Sequence, residues 1–79
     1  MAHIARHGIT PEECEAAYRN GPMVIEIQQR GRESRWLCLG ETDAGRLLTF
    51  VVTERQGKIR FVTAHPMHAK QREIYRGEE

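Results

Sequence analysis

Seventy-nine residues, 39% hydrophobic and 29% charged with a net charge of +1, describe one small domain over 1–79 and exclude a disulfide-scaffold or multi-domain chain. A chain this short buries only about 60–65% of the surface its unfolded form exposes, so function is expected on a sheet face or in a shallow groove rather than in a large enclosed pocket. Cys14 and Cys38 lack CxxC spacing and sit among apolar residues, so they read as buried free thiols of a reducing cytosol. No run is long enough to span a bilayer, and the first seven residues lack the apolar core of a signal peptide. A cytoplasmic protein with no membrane association is expected.

The net charge hides an uneven distribution. Residues 1–29 carry two basic and four acidic groups, a net of −2, whereas residues 30–76 carry ten basic and five acidic groups, a net of +5. Ten of the twelve basic residues are arginine, whose planar fork grips phosphate oxygens in pairs. RNA binding is one reading; a solvated, salt-laced surface is the other.

In chain order, residues 2–7 read as a short helix ended by Gly8. Thr10 is then an N-cap, Pro11 suits the first helical position, and Glu13 completes a capping box, with Ile9 and Cys14 placed as a hydrophobic staple. That helix runs to about Asn20, with Cys14, Ala17 and Tyr18 inward, and Gly21-Pro22 stops it. Four strands follow. Residues 23–29 alternate, with Met23, Ile25 and Ile27 on one side. A loop over 29–33 leads to a strand at 35–40 that carries Trp36. A turn over 41–45 leads to the most apolar run, 46–54. Arg55-Gln56-Gly57 turns the chain into a strand at 58–64, with Ile59, Phe61 and Thr63 facing one way and Arg60 and Val62 the other. Short connections make these an antiparallel meander. Pro66 can open a last helix to about Arg76. The expected class is α+β, a four-stranded antiparallel meander with N-terminal helices and a short C-terminal helix. Its helices lie on one face of the sheet, and its core includes Cys14, Tyr18, Ile25, Ile27, Leu48, Phe50, Ile59 and Phe61.

The run Arg6-His7-Gly8-Ile9-Thr10-Pro11-Glu12-Glu13, then Leu39-Gly40, Gly45-Arg46-Leu47-Leu48, Val52-Thr53-Glu54-Arg55, Lys58-Ile59-Arg60-Phe61-Val62-Thr63-Ala64 and a closing Tyr75 resembles the BrnT toxins of bacterial toxin–antitoxin systems. The resemblance covers nearly the whole chain. It implies a RelE-like fold and metal-independent cleavage of RNA without a cofactor. It also implies a cognate antitoxin with a DNA-binding domain, and oligomers formed only through the antitoxin or as a weak dimer. His65 stands where these toxins usually carry arginine, and His68, Ala69 and Gln71 replace part of their basic last helix.

Metal-free RNA cleavage needs a base for the 2′-hydroxyl, a cation for the phosphorane and an acid for the departing 5′-oxygen. Arginine serves only as the cation, because it keeps its proton; histidine suits the acid and base roles near neutral pH; glutamate can act as base near a tuning cation. Arg60, opposite in phase to Ile59 and Phe61, is the first candidate, with an ordinary ion pair to Glu54 or Glu41 as the alternative. Glu54, His65, His7 and Tyr75 complete the catalytic candidates. His65 reads equally as a helix cap, His7 as a packed corner residue and Tyr75 as a lid on the core. Arg32, Arg35, Arg55, Lys58, Lys70 and Arg72 are candidate RNA contacts, and Trp36 either stacks on a base or anchors the core. His3 with His7, and His65 with His68, have metal-ligand spacings; with no cysteine partner or HExxH they read as unrelated surface histidines, so no metal is expected. Two functions stay open: an endoribonuclease toxin, and a non-catalytic RNA- or protein-binding module of the same fold.

Overall fold

The computed structural model describes residues 8–77. The helix expected over 2–7, with His3 and His7, lies outside the described residues. Helix α1 spans Pro11–Arg19. The Thr10 hydroxyl accepts from Glu13 N at 3.1 Å while the Glu13 carboxylate accepts from Thr10 N at 3.0 Å, the reciprocal bonds of a capping box. Arg46 braces this corner, donating to Gly8 O at 3.0 Å and to Glu13 Oε2 at 3.1 Å. Gly21, with φ of 83°, turns the chain out of the helix.

Four antiparallel strands follow in the sheet order β1-β2-β3-β4: β1 Met23–Arg30, β2 Glu33–Glu41, β3 Leu47–Arg55 and β4 Lys58–Pro66. The loop expected over 29–33 contracts to Gly31-Arg32, because Gly31 adopts φ of 61°, as the first central position of a type II′ turn requires. Gln56 and Gly57 both have positive φ, 54° and 77°, the signature of a type I′ turn. The twist of both turns matches that of the strands they join, so pairing continues to their tips.

Cross-strand partners share a face. Trp36, Cys38 and Gly40 of β2 pair with Val52, Phe50 and Leu48 of β3, and these side chains form the core with Ile9, Cys14, Ala17 and Ala64. Phe61 lies edge-on to both Tyr18 and Phe50, with ring centroids 6.0 Å apart in each pair. The opposite face of β3 presents Leu47, Thr49, Val51 and Thr53, and Thr49 is 1% exposed. Both faces of this strand are covered, which is why its sequence alternates so little.

Helix α2, Ala69–Arg76, packs on that second face. Thr49 Oγ1 donates to Gln71 Oε1 at 2.7 Å, and Tyr75 reaches Glu41. The expectation that the helices share one face is therefore corrected: β4 leaves its hairpin toward the side opposite α1. Pro66 ends β4 instead of opening the helix, and His68, not His65, is the cap residue, its backbone N donating to Gln71 Oε1 at 2.9 Å.

The expected core also needs correction. Ile27 is 64% exposed, Tyr18 39% and Ile59 37%, and Ile25 and Phe61 are half-buried. The nine-residue α1 is too short to cover the whole face, so its hairpin-tip half stays open. A bulge at Ile25 breaks the β1 register between Val24 and Glu26. Val24 and Ile27 then join the α1 face, in place of the expected alternation of 23, 25 and 27.

Candidate nucleic-acid interface

In a meander, the first and third turns fall at the same end of the sheet. Here those turns are Gly31-Arg32 and Gln56-Gly57, and arginines and glutamates flank both. Arg30, Arg32, Arg35, Arg55, Lys58 and Arg60 all come to this end, six cations against the two carboxylates Glu33 and Glu54. A cleft of about 450 Å³ between the tips is lined by Arg30, Arg32, Glu33, Glu54, Arg55 and Gln56.

Register sets the orientation of these groups. Arg35 pairs with Thr53, and Thr53 pairs with Arg60. The two arginines therefore stand on the α2 face of the sheet, on either side of Thr53, with backbones two strand spacings apart, roughly 10 Å. Arg30, Glu33, Arg55 and Lys58 follow on the same face toward the tips, by the pairs Arg30↔Glu33 and Arg55↔Lys58. Arg35 Nε donates to Glu33 Oε2 at 3.0 Å. Among the described residues, Arg30, Arg32, Arg55 and Arg60 make no ion pair. The pairing of Arg60 with Glu54 or Glu41 is absent: Glu54 pairs with Ile59 and so points to the other face, and Glu41 lies at the far end of β2. Free guanidiniums crowded on a rigid sheet end are suited to bind an anion that carries several phosphates.

The bulge in β4 governs a second relationship. The register shift at Val51/Val52 leaves Val62 unpaired, since Thr63 faces Val51 and Phe61 faces Val52. Phe61 thereby points into the core, while Arg60, Thr63 and His65 share the α2 face. Strict alternation would have put Arg60 and Thr63 on opposite sides, and this expectation is corrected.

His65 and Tyr75 occupy the other end of that face. His65 is five residues along the strand from Arg60, roughly 15 Å away. Its Nδ1 lies 2.8 Å from Pro66 O, and its ring stacks on His68 with centroids 4.7 Å apart. Tyr75 OH donates to Glu41 Oε1 at 3.5 Å; burial, and then the Glu41 charge, push its phenol above the ordinary tyrosine range. Arg72 donates to Met67 O at 2.8 Å, bracing the start of α2, and Lys70 is exposed on that helix. The structure thus brings Arg60, Arg35, Arg32, Arg55, Lys58 and Glu54 to one end of the sheet, and places His65, Tyr75, Lys70 and Arg72 at the other.

Arg30, Glu33 and Gln56 line the cleft without having stood out in the sequence. Treating 29–33 as a loop hid the first two. A two-residue turn centred on Gly31 would have placed Arg30 directly opposite Glu33. Trp36 is half-buried against the core and borders a separate apolar groove of about 240 Å³ on the α1 face. No helix among the described residues is long and apolar enough to cross a membrane.

Residues 1–71 match the family model described as the ribonuclease toxin BrnT of type II toxin–antitoxin systems. No curated protein and no solved structure matches the chain.

Proposed function

Because the chain belongs to the BrnT family of ribonuclease toxins of type II toxin–antitoxin systems, we propose that it is a metal-independent endoribonuclease whose substrate lies across the hairpin-tip end of the sheet. The observation that carries this reading is the gathering of six cations and two carboxylates from two separate turns at one end of the sheet, with three of the arginines and both carboxylates lining one cleft. Arg60 and Arg35 hold the scissile phosphate above Thr53 and steady the charge of the phosphorane. Glu33, on the same face and bonded to Arg35, takes the proton of the 2′-hydroxyl, whose oxygen bonds to phosphorus, while Glu54 points to the other face and only borders the cleft. The bond from phosphorus to the 5′-oxygen breaks, and that oxygen takes a proton from Lys58, the one cation at this end able to release one. Arg30, Arg32 and Arg55 grip neighbouring phosphates. His65, Tyr75 and Lys70 contact RNA farther along the face. The fold is RelE-like and the protein works in the cytoplasm. Its antitoxin carries a DNA-binding domain, and higher oligomers form through that partner.

A second reading is supported by the roughly 15 Å between Arg60 and His65: the arginines bind RNA, but the histidine is too far away to take part in cleavage. Induced expression in bacteria separates the two, with growth and RNA integrity followed for wild type, Arg60→Ala and Glu33→Gln. The nuclease reading expects arrest and fragmented RNA with wild type and relief with both variants, while purified Glu33→Gln still binds RNA. Intact RNA with purified wild type at saturating protein leaves the binding module as the function.

A further inference from the structure

The α1 face is apolar beyond the reach of its helix. Tyr18, Pro22, Val24, Trp36, Val52 and Ile59 line the groove there, and Ile27 stands beside it 64% exposed. Glu54 borders both this groove and the arginine cleft, so the two surfaces meet at the hairpin tips. Among the described residues β1 pairs only with β2, so within them its outer backbone edge faces no strand.

The occupant must match both halves of this surface. The lining is mostly aliphatic, with Pro22, Val24, Val52, Ile59 and the neighbouring Ile27 beside the two rings of Tyr18 and Trp36, and carries no cation of its own, which suits apolar protein side chains better than sugars and phosphates. Arg30, Arg32 and Arg55, free of ion pairs among the described residues, call for carboxylates at the end of the same segment. We infer that this groove and the adjoining arginines dock a segment of the antitoxin that carries apolar side chains followed by acidic ones. The inference rests on the toxin–antitoxin reading. It adds a mode of inhibition: the apolar part anchors the segment, and its acidic end takes the arginines that RNA would use. Antitoxin and RNA then exclude each other without a change in the toxin's shape.

The test measures binding of the antitoxin encoded by the adjoining reading frame, by calorimetry, with wild type, Ile27→Asp and Ile27→Gln. Ile27 is exposed and on an edge strand, so both variants are expected to keep the wild-type melting temperature and RNA affinity. Ile27→Asp should weaken antitoxin binding by about tenfold or more, the scale of losing an apolar anchor at an interface, with Ile27→Gln between it and wild type. A short single-stranded RNA should compete with the antitoxin for wild type. Unchanged antitoxin affinity in both folded variants overturns the inference. So does a wild-type dimer that Ile27→Asp turns into a monomer, which would make a second copy the occupant, and so does a loss of RNA affinity in place of antitoxin affinity. Failure of wild type to bind the antitoxin overturns it as well. A wild type that binds the antitoxin through Ile27 yet leaves RNA intact sustains it and removes only the nuclease reading.

Discussion

Gly40 and Ala17 meet where α1 crosses β2: a methyl group on Gly40 would lie 3.2 Å from the Cβ of Ala17, 3.2 Å from its carbonyl oxygen and 3.0 Å from Cε1 of Phe50. The absent side chain lets the helix settle onto the strand. Gly40→Ala should destabilise the protein by about 1–3 kcal/mol, the cost of overpacking. This exceeds the roughly 0.4–1 kcal/mol that alanine supplies by restricting the unfolded chain, because a backbone carbonyl and a helical Cβ cannot swing aside. Urea unfolding read by circular dichroism decides it; a midpoint at or above wild type would mean that α1 sits farther from the sheet.

The capping box should shape the acid limb of stability. The backbone N–H of Thr10 holds the Glu13 carboxyl below its ordinary range; burial opposes it, and the guanidinium of Arg46 reinforces it. A carboxyl with a lowered folded pKa stabilises the fold above its unfolded value, about 4.3. That contribution fades as pH falls through the folded pKa. Glu13→Gln keeps an acceptor for Thr10 N but no charge. It should be less stable than wild type at pH 6 and should approach wild type near pH 3. The gap should be small and should shrink in salt, because the side chain is partly exposed and Arg46 is screened. Parallel stability curves across that range would assign Glu13 a purely geometric role.

Neither thiol should react in the native protein. Cys14 is 0% exposed and Cys38 1%, and burial pushes the Cys14 thiol up to about 11 and raises Cys38 as well. At pH 8 a thiol-specific reagent should label neither residue without denaturant and both in strong urea. Immediate labelling of either one would show that the α1–β2 contact opens readily.

RNA affinity should depend steeply on salt. Each phosphate neutralised on a single strand contributes a slope of about −0.7 in the logarithm of affinity against that of salt concentration. Arg55→Ala and Arg32→Ala should each flatten the slope by about that amount if the residue contacts a phosphate. Arg19→Ala, a substitution on α1 at a group paired with Asp43 at 3.5 Å, should leave the slope unchanged. Slopes that ignore the hairpin-tip arginines and respond to Lys70 would move the interface to α2.

The sequence by itself determined the local elements whose signals are short-range. Thr10, Pro11 and Glu13 specify the start of α1 through bonds within four residues, and the glycines at 31 and 57 mark the turns. The apolar character of 46–54 marked it as the central strand, but not that both of its faces are covered, since the helices were expected on one face. The composition also placed ten of the twelve basic residues after position 29. Which of them act together was decided by tertiary structure. The arginines at 30–35 and 55–60 become neighbours only because β2 and β3 pair and bring alternate turns to one end. The unpaired Ile25 and Val62 invert the phase of half a strand each, and alternation cannot reveal that, since one inserted residue leaves the local pattern apolar. The side taken by α2 is likewise absent from its own sequence, whose apolar stripe is weak. It follows from how β4 exits the sheet and from the Thr49–Gln71 bond, made between residues 22 positions apart.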